Sequence, residues 1–354
     1  MARSSLKYTL HQYGTENDLQ RVGVWDVDIA DKNKYWIIYI HGGAWRDPRI
    51  ALETFEPTID QILLATASSS PSSSSSSPPC SSGSTRSRHQ NHHQRPGIAA
   101  FASLDYRLSP HPGFPQDPAA TPPARYRGAR HPDHVDDARA ALAFLQARYG
   151  SAANYVLVGH SAGGCIALQL LAGLCSPTSS SPFLSQSQSL SLSSPPSSSA
   201  TSDSSTITPT AAPALAPAPV PFAFPRAIVS FEGIYDFAGI ASRLGPAYAE
   251  FLSGAFGPPD EEARAWAAAA PLAYAGSYRD RWREAGGRAL VLAWSPDDAL
   301  VDEPEIDAMA RRLRRDGVEG LVVLKDLRGD HDEIWESGKE VARLVGVALE
   351  GIGG

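Results

Sequence analysis

Gly159-His160-Ser161-Ala162-Gly163 joins two segments of different character. Residues 154–158 (NYVLV) are short, apolar and β-branched, the pattern of a strand buried on both faces. Residues 162–174 are apolar and rich in small side chains, the pattern of a buried helix. A chain passing directly from such a strand into such a helix must reverse within a few residues. Glycines two positions before and after the serine remove side-chain bulk from that turn. The serine is left at the apex, with its hydroxyl held out beyond the sheet. A helix following a buried strand in this way points to a parallel α/β architecture.

The rest of the chain agrees with that architecture. Residues 20–28, Tyr35–Ile40, Ile98–Leu104, 226–231, 289–294 and Leu321–Leu324 read as further strands. Between them a helix begins near Asp133, with Val135, Ala138, Leu142 and Leu145 on one core-facing stripe. Further helices read over 262–270, 303–315 and 334–349, and residues 236–285 suit cap helices. Two Ser/Pro-rich stretches, 68–96 and 176–221, bury almost nothing and are expected to be disordered inserts in loops. With 42% hydrophobic residues, residues 1–354 are expected to form one domain interrupted by those inserts.

Charge and cysteine content narrow the function. A net charge of −7 with scattered Lys and Arg gives no footprint for nucleic acid or an anionic membrane. The cluster Arg311-Arg312-Leu313-Arg314-Arg315 reads as the solvated side of a helix. The N-terminus lacks a signal-peptide core, and no stretch approaches the roughly 20 apolar residues of a membrane span. A cytosolic location is the expectation. Cys80, Cys165 and Cys175 show no metal spacing and make a disulfide framework improbable. His89, His92 and His93 lie in the first insert without supporting cysteines or carboxylates, so no metal site is expected.

A serine hydroxyl becomes a useful nucleophile when a base removes its proton and a carboxylate orients that base. In the α/β-hydrolase fold, which the elbow at Ser161 fits, the chain order is Ser, acid, His. Two downstream strand ends carry candidates in that order. His331 is the only histidine after Ser161, and therefore the only available base. Asp298 precedes Leu300-Val301, which can anchor its loop, and is the preferred acid, with Asp297 as runner-up. Asp330 and Asp332 read as caps of the final helix. For the developing oxyanion, His41-Gly42-Gly43-Ala44-Trp45 follows the strand Tyr35–Ile40 directly. The amides of Gly43, Ala44 and Ala162 are the candidate donors, with Gly42 supplying room. Trp45 reads either as a wall of the acyl pocket or as a core aromatic fixing the turn. Tyr235 and Asp236 either meet substrate or begin a helix, and Arg107 reads as a loop anchor.

HGGAW with Asp47-Pro48 behind it, Asp105-Tyr106-Arg107-Leu108-Ser109-Pro110, GHSAGG and Gly233–Phe237 (GIYDF) resemble one family. The chain is similar to the kynurenine formamidases (arylformamidases) of fungal type, within the hormone-sensitive-lipase-like hydrolases. GHSAG and the YRL-SP stretch occur across lipase-like esterases, whereas HGGxW is narrower. The likeness spans nearly the whole chain apart from a short head and the inserts, which depart from the family pattern. It implies Ser161 as nucleophile, Asp298 as acid, His331 as base and residues 41–45 as the HGGxW motif. It further implies hydrolysis of N-formyl-L-kynurenine to L-kynurenine and formate, in tryptophan degradation feeding NAD synthesis. No cofactor or metal is implied, and family members are often homodimers. A short-chain carboxylesterase of the same fold is the rival enzyme reading, and a hydrolase fold kept as a binding module is the rival of another class.

Overall fold

A computed structural model describes residues 2–68, 96–176 and 223–353. The inserts expected at 68–96 and 176–221 lie outside the described residues except for Ser68, Pro96 and Ser176. Cys80, His89, His92 and His93 lie outside them too.

All strands but the edge strand at the N-terminus send alternate side chains into two separate cores, one on either face of a single sheet. In β3 (Tyr35–Ile40), Trp36, Ile38 and Ile40 face one core while Ile37 and Tyr39 face the other. The remaining strands are β1 (Lys7–Gln12), β2 (Arg21–Asp26), β4 (Ile98–Leu104), β5 (Tyr155–His160), β6 (Ala227–Phe231), β7 (Ala289–Ala293) and β8 (Leu321–Leu324). Their order is β1-β2-β4-β3-β5-β6-β7-β8. β2 runs antiparallel to both neighbours, and every other pairing is parallel.

One face is covered by α1 (Glu56–Ser68), α9 (Glu333–Ser337) and α10 (Lys339–Gly353). The other carries α2 (Asp133–Tyr149), α3 (Ala162–Ala172), α4 (Phe237–Leu244), α5 (Pro246–Phe256), α6 (Pro259–Ala269), α7 (Tyr278–Glu284) and α8 (Glu303–Asp316). The stripe read in the sequence of α2 is buried, as are Ala141 and its neighbours on that side. α4 to α7 occupy the region expected to hold cap helices.

The strand order fixes where a site can form. From β3 the chain passes through α1 on one face to β4, then through α2 on the opposite face to β5. The connections leaving the adjacent strands β3 (α1) and β5 (α3) lie on opposite faces, so the chain diverges at the C-terminal ends of these strands, where open α/β sheets bind ligands. His41–Trp45 and Ser161 both follow those strand ends.

Three elements differ from the sequence-based expectation. β1 was hidden because KYTLHQ alternates weakly, and as an edge strand it leaves Tyr8 and Leu10 about half exposed. α1 lies in a stretch with no strong apolar period, immediately before the first insert. The helix expected over 334–349 is broken into α9 and α10 at Gly338, where φ is +65°. A Cβ there would lie 2.4 Å from the Pro57 carbonyl carbon and the Thr58 nitrogen, so α1 forces the break. Among the described residues, no helix is long and apolar enough to cross a membrane.

Candidate active site

The turn after β5 is confined to one residue. Ser161 takes φ 53° and ψ −117°, a left-handed conformation that non-glycine residues seldom adopt. Its amide donates to Phe231 O at 3.0 Å, and its carbonyl accepts from Cys165 N at 3.1 Å. A Cβ on Gly159 would lie 2.3 Å from Gly163 O, and one on Gly163 would lie 2.1 Å from Ile40 O. Both glycines are therefore required sterically, one for the helix to leave β5 and one for it to pass β3. Among the described residues the Ser161 hydroxyl forms no hydrogen bond, and the residue is 5% exposed.

The loop after β8 brings His331 to the same end of the sheet, also 5% exposed. Its Nδ1 donates to Asp298 Oδ2 at 2.8 Å, leaving Nε2 as the free nitrogen of the ring. Asp298 is held in turn by the amides of Leu300 and Val301, at 2.7 and 2.9 Å on Oδ1. Asp297 instead accepts from Gly329 N at 3.2 Å and forms no bond with His331. The His331 ring lies 4.6 Å, centroid to centroid, from that of His160, the residue preceding Ser161. Asp332 stands at the N-cap of α9 without a side-chain cap bond, because its carboxylate accepts from the Trp335 indole. Asp330 accepts the His331 amide rather than capping the helix.

On the other side of Ser161, the loop after β3 carries three consecutive left-handed residues: Gly43 (φ 86°), Ala44 (48°) and Trp45 (60°). A Cβ on Gly42 would lie 3.0 Å from Ser161 Cβ and 2.9 Å from His160 Nδ1, so the loop backbone abuts the elbow. Among the described residues, the amides of Gly43, Ala44 and Ala162 have no protein acceptor. Trp45 is completely buried, edge-on to Phe237 and Phe256 and beside Phe251. Its place among these aromatics fits the role of anchoring the turn.

Side chains at the end of β4 hold the start of that loop. His41 stacks on Tyr106, and Tyr106 Oη donates to the carbonyls of Gly42 (2.9 Å) and His41 (3.2 Å). Asp105 lies 3.4 Å from His41 Nε2, accepts from Leu52 N at 2.6 Å and pairs with Arg21 at 2.6 Å. Burial pushes the Asp105 carboxyl up, but His41 and Arg21 outweigh it and leave it below the usual carboxylate range. Arg107 pairs with Asp137 and Glu16 at 2.8 Å, tying down its loop. Tyr235 is buried with its hydroxyl on Ser230, and Asp236 caps α4 through Gly239 N at 3.0 Å.

Sequence reasoning missed Glu232, which follows β6 at φ 52°. It is 1% exposed, with Oε2 3.2 Å from His160 Nε2 and 3.6 Å from His331 Nδ1. Burial, followed by the charges of Asp298, Asp330 and Asp332, pushes its carboxyl up to about 10. Burial and then His331 hold His160 well below the usual imidazole range. The signal was available: a lone carboxylate between an apolar strand and a glycine, at the sheet end where Ser161 lies. Ligand-type atoms of His160, Glu232 and His331 lie within 4.8 Å of one another, a spacing close enough for a metal. Two hydrogen bonds already engage these atoms, His160 Nε2 with Glu232 Oε2 and His331 Nδ1 with Asp298.

No family model matches the chain. A kynurenine formamidase of Aspergillus versicolor is 30% identical over 318 residues, covering 85% of this chain and 84% of the relative. A kynurenine formamidase-like hydrolase of Fusarium equiseti is 26% identical, covering 88% of this chain and 81% of the relative. Among solved structures, esterase B of Lactobacillus rhamnosis matches with a TM-score of 0.57 at 11% identity, covering 100% of this chain and 88% of the esterase. A hormone-sensitive-lipase homologue from a metagenome library matches at 0.52 and 16% identity, covering 99% of this chain and 88% of its own. Those structural likenesses speak for the fold, the α/β-hydrolase expected from the elbow. The sequence relationship goes further and bears out the resemblance carried by HGGAW and GIYDF: the chain belongs to the kynurenine formamidase family of α/β-hydrolases.

Proposed function

We propose that the protein hydrolyses N-formyl-L-kynurenine to L-kynurenine and formate, with Ser161 as nucleophile, His331 as base and Asp298 behind it. The observation that carries this reading is the 2.8 Å bond from His331 to Asp298 beside the Ser161 elbow, in a chain related to kynurenine formamidases. Nε2 of His331 takes the Ser161 proton as Oγ bonds to the formyl carbon. The amides of Gly43, Ala44 and Ala162 receive the oxyanion, with Gly42 leaving room for it. The C–N bond then breaks, and His331 returns the proton to the departing aryl amine. Water, deprotonated by the same imidazole, cleaves the formyl ester and releases formate. An aryl amide suits this site because its nitrogen lone pair is partly drawn into the ring, which weakens amide resonance.

A cytosolic, cofactor-independent homodimer acting in tryptophan degradation, upstream of NAD synthesis, belongs to the same proposal. The esterases sharing the fold favour one alternative, short-chain ester hydrolysis by the same groups. Comparing kcat/KM for N-formylkynurenine and p-nitrophenyl acetate separates the two, and a large ester preference would sink the formamidase reading. Ser161→Ala is expected to lower kcat by about a millionfold while the thermal melt is retained.

A further inference from the structure

Two carboxyls converge on one nitrogen of the imidazole proposed as base. Asp298 Oδ2 lies 2.8 Å from His331 Nδ1, and Glu232 Oε2 lies 3.6 Å from the same atom. Both side chains are fully buried, and two carboxyls that meet at one nitrogen in a dry site do not both ionise. The donors present decide which one carries a proton. Asp298 accepts from Leu300 N, Val301 N and His331 Nδ1. Glu232 has a single partner, His160, and its Oε1 is buried without any. The groups facing Glu232 are the neutral His160 ring, His331, the Tyr39 phenol of β3 and the carboxylates Asp298, Asp330 and Asp332, with no arginine or lysine among them.

We propose that Glu232 is a positioning residue, a neutral carboxylic acid fastened to His160 that confines the His331 ring to Asp298. Its hydroxyl donates to His160 Nε2, and the remaining lone pairs of the same carboxyl face His331 Nδ1–H. Burial that raises the Glu232 carboxyl to about 10 keeps it in this form across neutral pH. The neutral state matters for catalysis. A second anion at 3.6 Å would stabilise the imidazolium and leave His331 without a free Nε2. The left-handed backbone of Glu232 and its amide bond to Ala293 O at 2.8 Å set where its side chain leaves the end of β6.

The inference rests on the proposed roles of Ser161 and His331, and its test keeps the two separable. The rate of Ser161 labelling by a fluorophosphonate is measured against pH, because it reports the serine–imidazole couple whatever the natural substrate. Absence of labelling in the wild type would overturn the reading of Ser161 itself. With labelling present, Glu232→Gln keeps an uncharged group at this position, its NH2 taking the place of Oε2 on His160. The expected result is a labelling rate within about threefold of wild type and an acid limb that stays in place. A limb moved to lower pH by about one unit or more would mean that Glu232 is ionised, and would overturn the inference alone. Glu232→Ala frees the ring and is expected to lower kcat per labelled site about ten- to a hundredfold with little change in KM. A wild-type kcat per labelled site would reduce Glu232 to a packing residue. Should the alanine protein fail to fold, the glutamine pH profile decides.

Discussion

The two sides of Ser161 are built from different materials. On the side of β3, the groups on offer are main-chain amides, and packing around the loop positions them: Trp45 wedged among Phe237, Phe251 and Phe256 at its far end and Tyr106 bonded to the Gly42 carbonyl at its start, with the backbone forced through three left-handed residues. On the side of β6 to β8, the group on offer is a side chain, and polar bonds position it: His331 on Asp298, with His160 and Glu232 behind. An amide has no torsion of its own, so only the chain can aim it. An imidazole rotates about two bonds, so hydrogen bonds must stop it. The difference teaches that the first side is sensitive to volume and the second to charge.

The largest effect should come from breaking the polar side at Asp298. Asp298→Asn is expected to lower kcat about ten-thousandfold by releasing His331 into the wrong tautomer. Asp297→Asn, one residue away, should leave kcat within about twofold, and steady-state kinetics on the pair would sharpen the assignment. On the apolar side, Trp45→Ala should cost about 3–5 kcal/mol of stability in urea unfolding, through the cavity left among the three phenylalanines. Gly42→Ala is smaller, placing a Cβ 3.0 Å from Ser161 Cβ. It should lower kcat by about a hundredfold with circular dichroism unchanged.

The smallest effect distinguishes the sides by pH. Glu232 has a folded-state value of about 10 against 4.5 in the unfolded chain, so the native protein holds an extra proton between those values. Its contribution to stability is complete below 4.5 and is lost as pH rises toward 10. Glu232→Gln lacks this dependence. Its unfolding free energy relative to wild type should rise by about 1 kcal/mol per pH unit between pH 6 and 8. The deficit of Trp45→Ala should not vary over that range, since no titrating group replaces the indole. A pH-independent Glu232→Gln difference would erase the contrast between the two sides.

The sequence by itself determined the parts that depend on local sterics and chain order. A serine flanked by glycines between a buried strand and a small-residue helix specifies an elbow, because only that composition lets the helix pass Ile40 O and leave β5. His331 was legible by elimination, and Asp298 by the Leu-Val pair whose amides it accepts. Tertiary structure alone decided the rest. β1 and α1 carry too little periodicity to announce themselves, and the break at Gly338 comes from α1 pressing on it from elsewhere in the chain. The same holds for Trp45, whose burial depends on aromatics some two hundred positions away. Glu232 shows the reason most plainly: its carboxyl is pushed up by burial and then by the carboxylates that folding brings around it, and no local pattern of residues encodes that neighbourhood.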